Sequence, residues 1–447
     1  MNTKQWHVMP AIISTAILSF CGVLIETSMN VTFPELMSLF SVGPAAIQWL
    51  TTANLLAAAC IVPLSAYLIR NYSERYIFIL ANSLFLIGMA IDSIAPTLSI
   101  LLIGRILQGM GTGIALPLLF HIIMSRVEFE KRGLVMGVAT MTTSLAPAIG
   151  PSYGGIILAY MGWQMIFVTL FPLILLSTFF GLKSIPNRDV LIIEKVNWLA
   201  FGVLGIALST LLISIEKLSV ILFIVSMLSF VLFYFFNKKK MLLNLQVFKN
   251  TTYLILLLGV LTYQMIPLAL SFILPNHLQL VLNLSSVQAG LFMFPGAILA
   301  AILYPLSGHI LDRLGAFKPL VLGLSLAIIG LAFMTIALMG KSALFLLVSD
   351  ILVKAGMGVG ASNMITSALT KLEKNLEADG NSVLNTLQQF AGAFATAVAS
   401  QFFAIGQASG QVNGESLGAR NGVYFILVFV VITFINILIL KNRKAIS

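Results

Sequence analysis

Four ionisable side chains sit inside stretches that are otherwise apolar: Glu26, Arg105, Asp350 and Lys354. A charge in hydrocarbon is costly, so such residues face the inside of a helix bundle and handle a proton, an ion or a substrate. Glu26 stands in "SFCGVLIETSMNVTFPEL". Thr15, Ser19, Gly22, Glu26 and Asn30 are spaced 4, 3, 4 and 4, which puts them on one face of a helix. Packing through small residues accounts for Ser19 and Gly22 but not for a carboxylate. The chemistry open to a lone carboxylate in a cavity is reversible protonation. Desolvation favours its neutral form and a nearby guanidinium its charged form, so a group held between them switches as water, a cation or the arginine moves. Counted from the ends of their segments, Glu26 and Arg105 lie at similar depth from one surface. The other reading of Arg105 is a buried ion pair that only fixes helix packing.

Asp350 and Lys354 are four apart, share a helical face and are expected to neutralise each other. That pair either lets the helix insert or makes Asp350 a second proton site. Asp92 and Glu216 fall near segment ends, where snorkelling to the interface suffices. The histidines at 7, 121, 277 and 309 are scattered, and Cys21 and Cys60 lie in different segments without metal-ligand spacing. No metal centre is expected, and with no phosphate-binding glycine loop no ATP site is either. No role falls to His121 or His309.

The elements that must position these residues follow from composition. Of 447 residues, 59% are hydrophobic and 9% charged, against about 25% charged in soluble domains. Windows of about 20 apolar residues span a bilayer. Fourteen such spans start near residues 8, 45, 76, 99, 133, 163, 196, 219, 252, 285, 318, 343, 377 and 420. The first has no cleavage site after it and reads as an anchor, not a signal peptide. With alternate loops on opposite sides, 20 of the 25 Lys and Arg fall on the side of both termini, against Lys217, Lys341 and Arg420 on the other. By the positive-inside rule both termini are expected in the cytoplasm, and the net charge of +10 reflects topology rather than nucleic-acid binding.

The chain also repeats itself. "PLSAYLIRNYSER" at 63 returns as "PLSGHILDRLGAF" at 305, and "GMGTG" at 109 as "GMGVG" at 356. The offsets, 242 and 247, are similar and the order is kept; Gly133 against Gly380 adds a weaker match. Six spans therefore repeat as six, with two inserted between them. The expected fold is an all-α integral membrane protein: residues 1–190 one six-helix bundle, 191–240 the two extra central helices, 241–447 the second bundle. Two bundles about a midplane cavity is a transporter architecture.

Several stretches carry a family resemblance. "LIETSMNVTFPEL" resembles "LDxTxVNVALP", with Glu for Asp; "GRILQGMGTG" resembles "RxxQGxG"; "APAIGPSYGG" resembles the exporter signature "GxxxGPxxGG". "GWQMIF" is similar to "WRWIF", with Gln164 in the Arg position. These are motifs of the major facilitator superfamily, in particular its fourteen-helix drug:proton antiporters. The family's loop "GxLxDRxGR" departs in the first half, where Ala66, Arg70, Asn71 and Ser73 occupy the glycine, acid, arginine and glycine positions. The second half keeps it as Gly308, Asp312, Arg313 and Gly315, so a conformational latch would rest on that copy.

The resemblance implies export of hydrophobic, often cationic, drugs and dyes across the plasma membrane in exchange for protons. No cofactor or nucleic acid takes part; the proton gradient drives it, the bilayer surrounds it, and a monomer is expected. Proton coupling falls to Glu26, Arg105 and Asp350. Candidate cavity residues are Asn30, Asn54, Met141, Tyr263, Gln264, Phe292 and, on a polar stripe of the penultimate span, Asn385, Gln388 and Gln389. An apolar, aromatic, Met-bearing pocket with a few polar groups suits amphipathic aromatic substrates. Gly137, Met141, Ser144, Ala148, Pro151 and Gly155 stack small groups along the fifth span, so Gly150, Pro151, Gly154 and Gly155, with Gly308, Asp312 and Arg313, are the candidates for conformational switching. The alternatives are proton-coupled exchange of a small ion or an endogenous lipid or metabolite, and a membrane enzyme or scaffold. The last is disfavoured by short loops and the lack of an embedded nucleophile with a base.

Overall fold

The computed structural model describes residues 7–186, 195–340, 342–373 and 376–443. Within these, the side chains at 66, 129, 130, 132–134, 136–138, 140–144, 148, 308–314 and 378 are outside the description. Lys341 and the side chains of Ala66, Gly137, Met141, Ser144, Ala148, Gly308, His309, Asp312 and Arg313 therefore lie outside the described residues.

The described chain is helical, as a chain in lipid must be when every backbone polar group needs an internal partner. The first half holds α1 (Val8–Phe40), α2 (Pro44–Ile47), α3 (Trp49–Asn71), α4 (Glu74–Ser93) and α5 (Leu98–Arg126), then α6 (Phe129–Met161), α7 (Met165–Val168) and α8 (Phe171–Ser184). Two helices follow, α9 (Trp198–Glu216) and α10 (Val220–Lys239). The second half holds α11 (Thr251–Leu280), α12 (Ser286–Phe292), α13 (Phe294–Leu314), α14 (Phe317–Gly340), α15 (Ala343–Leu369), α16 (Glu377–Ala408) and α17 (Gly414–Asn442). Side-chain caps start many of them: the oxygens of Ser73, Thr97, Ser219, Asn250 and Ser342 each accept a first-turn N–H of the helix that follows.

Twelve helical stretches of the described chain are long and apolar enough to cross a membrane. Two further rods complete fourteen: α6, whose apolar part is Leu145–Met161, and α16. The latter is too polar to qualify because Asn385, Gln388 and Gln389 face a cavity instead of lipid.

The repeat goes deeper than the sequence matches. Pro63 and Pro305 both lie in the second rod of their half, and Gly109–Gly113 and Gly356–Gly360 in the fourth. Both second rods also open with a short helix and break, at Gln48 and at Met293. The glycine strings do the same work twice. Gly109 lies against the Asn54 backbone of α3 and Gly111 against α4; Gly358 lies against Ala300 of α13 and Gly356 against α14. Dispersion between close backbones, not hydrophobic exclusion, holds such helices together in lipid.

Helix α9 packs on α10 and also lies against α3 and α16, one from each half. Here Glu216 departs from the snorkelling expected of it. It is only partly exposed and accepts a hydrogen bond from Trp49 Nε1 at 2.6 Å, which ties α9 to α3.

Candidate functional site

A cavity of about 300 Å³ lies between the halves, walled by α1, α3, α5 and α6 on one side and α11, α13, α15 and α16 on the other. That is the lower end of the range, roughly 300–1,000 Å³, that holds drug-sized ligands. Three inward-facing prolines, Pro117, Pro147 and Pro267, line it. Each frees a carbonyl one turn back, which is tolerated at membrane depth where backbone faces water or protein.

At the end away from the chain termini the halves are hydrogen-bonded together. Asn30 Nδ2 donates to Ser271 Oγ at 2.8 Å, while Thr51 Oγ1 donates to Asn30 Oδ1 at 2.7 Å. Gln279 Nε2 donates to the Val31 carbonyl at 2.9 Å, and Ser152 Oγ to the Gly290 carbonyl at 3.1 Å. The Phe33 and Phe272 rings meet above, 6.0 Å between centroids. The cavity starts one turn below this seal, at Val23, Glu26 and Thr27.

Helix α6 is the wedge of the seal. Ser28 Oγ donates to the Gly150 carbonyl at 2.8 Å, Gly154 rests on the Ser28 backbone, and Gly155 on the Ser286 backbone of α12. Gly290 faces the Pro151 carbonyl so closely that a Cβ there would overlap it. Overpacking costs about 1–3 kcal/mol, and here it falls only on the sealed arrangement. Gly290→Val is expected to shift the population toward an arrangement open at that end, by roughly 5- to 150-fold for 1–3 kcal/mol. An impermeant maleimide should then label Thr32→Cys, buried in the seal, much faster than with Gly290 intact, in a chain with Cys21 and Cys60 replaced by alanine.

Glu26 is 5% exposed, lines the cavity, and makes no hydrogen bond or ion pair within 4 Å among the described residues. Arg105 is fully buried behind it. Its Nε donates to the Leu50 carbonyl at 2.9 Å and its Nη1 to Gln108 Oε1 at 2.7 Å. Gln108 Nε2 in turn donates to Asp92 Oδ2 at 2.7 Å. The carboxylates that feel the Arg105 charge are Asp92 and, less strongly, Glu26. Asp92 is thus not a snorkelling residue: it is fully buried and relayed through Gln108 to Arg105. The stripe Phe78, Phe85, Gly88, Met89 and Asp92, all buried on one face of α4, carries the signal that marks its inward phase.

In the second half the expected Asp350–Lys354 ion pair does not form within 4 Å. Asp350 is fully buried with neither oxygen hydrogen-bonded, pressed against Gly296 of α13, and Lys354 turns to the cavity. The spacing Lys354, Met357, Ala361 and Ile365 is a one-face stripe that lines the cavity wall.

Of the expected cavity residues, Tyr263, Gln264, Asn385, Gln388 and Gln389 line it. Asn30 does not, because both ends of its amide are used in the seal. Asn54 does not either: it lies behind the wall, where its Nδ2 donates to the Arg105 carbonyl at 2.9 Å. Phe292 is displaced by its neighbour Met293, since the break between α12 and α13 sets which of the two turns inward. The stripe of α1 also divides: Thr15 and Ser19 bond back to their own helix, Gly22 packs on Thr112, and only Glu26 meets the cavity. Tyr304 and Phe120 line it too, though no sequence pattern marks them out, while Met357 is marked only by its place on the Lys354 stripe.

The model of the Major Facilitator Superfamily matches residues 15–396. The Lincomycin resistance protein LmrB of Listeria monocytogenes is 31% identical over 433 residues, covering 93% of this chain and 90% of that protein. The protein of the same name from Bacillus subtilis is 28% identical over 418 residues, covering 91% and 87%. Among solved structures, a POT family transporter in complex with 5-aminolevulinic acid superposes with a TM-score of 0.74 over 99% of this chain and 98% of that one, at 13% identity.

Proposed function

The chain belongs to the Major Facilitator Superfamily, and from that premise we propose that it is a proton-coupled antiporter exporting hydrophobic, often cationic, drugs and dyes. It is a multi-pass membrane transporter; the reading adds a plasma-membrane location with both termini cytoplasmic, and a working monomer. The drug class is supported by the relatives named for lincomycin resistance and by the cavity's aromatic and Met-bearing wall. One observation carries the coupling. Five Asp, Glu, Lys or Arg side chains are buried at the depth of the cavity among the described residues: Glu26, Asp92 and Asp350 against Arg105 and Lys354. Three carboxylates and two cations leave one negative charge, and Glu26 is the carboxylate that reaches the cavity. A proton neutralises the site, and so does a cationic substrate, but the two compete. Competition for one charge is what exchange requires.

In this reading substrate enters from the side of the termini while the far end is sealed, and displaces the proton of Glu26. The halves then rock about the α1–α6–α12 junction, with Gly150, Pro151, Gly154 and Gly155 as the sliding surface and Gly308, Asp312 and Arg313 as the latch of the other state. Asp350 is proposed as a second proton site, held apart from Lys354 until the wall moves. Dye uptake into everted vesicles tests the scheme. With an acid interior, uptake is expected to build a gradient that a protonophore collapses, and Asp350→Asn is expected to flatten its dependence on the imposed pH difference. Uptake indifferent to both the pH difference and the protonophore would overturn proton coupling, and a proton flux through the protein that needs no dye would make proton-coupled exchange of an ion or metabolite the better reading.

A further inference from the structure

A second cavity, also about 300 Å³ and nearly all apolar, opens on the outer face of the first half. It lies among the inner faces of α3, α4 and α5, from Leu64 and Leu80 up to Ile114, and is closed at the end of the termini by Val196 and Trp198. Three tyrosines guard that end. The Tyr72 and Tyr76 rings are stacked at 5.0 Å, and Tyr67 meets Tyr72 edge-on at 6.3 Å. Aromatic side chains with a polar tip belong at the depth of lipid headgroups. Trp198 is 63% exposed beside them.

The mouth is basic. Lys195 directly precedes the lining residue Val196 and is exposed. Asn197 Nδ2 donates to the carbonyls of Phe236 and Lys240, which fastens the start of α9 to the end of α10 and brings the exposed Lys238, Lys239 and Lys240 to the same corner. The buried acid of that end, Glu74, is taken by Arg126.

We propose that this groove is a binding site for one anionic glycerophospholipid, an acyl chain between α3, α4 and α5 and the phosphate on the lysines of Lys195 and Lys238–Lys240. The apolar slot supplies length for a chain but no polar partner inside it, and the charge stands only at the mouth. A transported drug would need the reverse, polar groups within. The site is separate from the cavity between the halves, so its occupant helps to hold α9 and α10 against the first half without entering the transport cycle.

The test uses the whole protein in vesicles and reads the part of tryptophan emission that Trp198→Phe removes. Dibrominated phosphatidylglycerol should quench that emission at lower mole fraction than dibrominated phosphatidylcholine. The preference is expected to be about fivefold for each lysine that meets the headgroup, the fold-change given by ~1 kcal/mol. Replacing Lys195, Lys238, Lys239 and Lys240 with glutamine should abolish the preference while quenching by phosphatidylcholine stays. Equal quenching by both lipids in the unaltered protein would reduce the groove to ordinary annular contact. Relief of quenching by an exported dye would make it a drug site, and either result overturns the assignment.

Discussion

Glu26→Gln is expected to abolish proton-driven export while leaving the substrate cavity occupied. The amide matches the carboxyl in shape and cannot ionise, so the cavity is held in its neutral state whatever the proton gradient. A proton falling through the equivalent of 100 mV is worth about 2.3 kcal/mol, or roughly a 50-fold substrate gradient. The variant should lose that whole factor and still exchange labelled for unlabelled dye, because exchange at equilibrium needs the two arrangements of the halves but no coupling. The environment favours this outcome. The Thr27 hydroxyl turns back to the Val23 carbonyl and that of Ser28 is shared between the Leu24 and Gly150 carbonyls, so the nearest polar neighbours on α1 do not hold the Glu26 carboxyl. It is left free to trade its proton with cavity water or to meet a cation. Glu26→Asp keeps the charge one methylene shorter and should retain coupling, consistent with the acid of the family motif. Two readouts separate coupling from damage: dye uptake into acid-loaded everted vesicles, and proton release when dye is added to the purified protein in weak buffer. Undiminished uptake together with undiminished proton release in Glu26→Gln would remove Glu26 from the mechanism.

How much of the site is legible in the sequence depends on what fixes each residue. Depth is fixed by counting along an apolar segment, and counting alone sets Glu26 and Arg105 at one level. The repeat is legible because close packing of the fourth rod on the second and third demands glycine at the same places twice, at Gly109–Gly113 and Gly356–Gly360. Phase within a helix is less legible. The single-residue breaks at Gln48 and Met293 rotate the residues that follow, which is why Met293 and not Phe292 reaches the cavity. Burial of a charge near a rod's end is not legible for Asp92, since depth alone allows snorkelling, and only the packing of Gly88 on Gly104 turns that carboxylate inward. Spacing of four likewise permits an Asp350–Lys354 pair, but both side chains pack on Gly296 of α13, Asp350 ending there and the lysine running on to the cavity. Asn30 is legible as an inward-facing polar residue and not in its partners. A polar residue one turn beyond a cavity acid can line the cavity or close it, and the partner that decides, Ser271, is 241 residues away.

Arg105→Met is expected to lower stability by about 3 kcal/mol, the low end of what removing one partner from a buried charge pair costs. The guanidinium joins three helices: its Nε reaches α3 at the Leu50 carbonyl, and Nη1 reaches Asp92 of α4 through Gln108. Without it Asp92 is a fully buried carboxylate whose Oδ1 already has no hydrogen-bond partner. Arg105→Lys keeps the charge but not the planar fork, and one ammonium cannot serve the Leu50 carbonyl and Gln108 in the same geometry. Lysine should therefore restore part of the stability and little of the coupling. The decisive variant removes both charges, Arg105→Met with Asp92→Asn. If Arg105 only holds the helices, the double variant regains the melting temperature and the proton-driven transport together. If Arg105 also sets the charge of the cavity through Glu26, the double variant regains its melting temperature but not its coupling, because Glu26 is then a carboxylate with no buried cation behind it. The second outcome is expected, since the field of Arg105 reaches both carboxylates and only one of them meets the cavity.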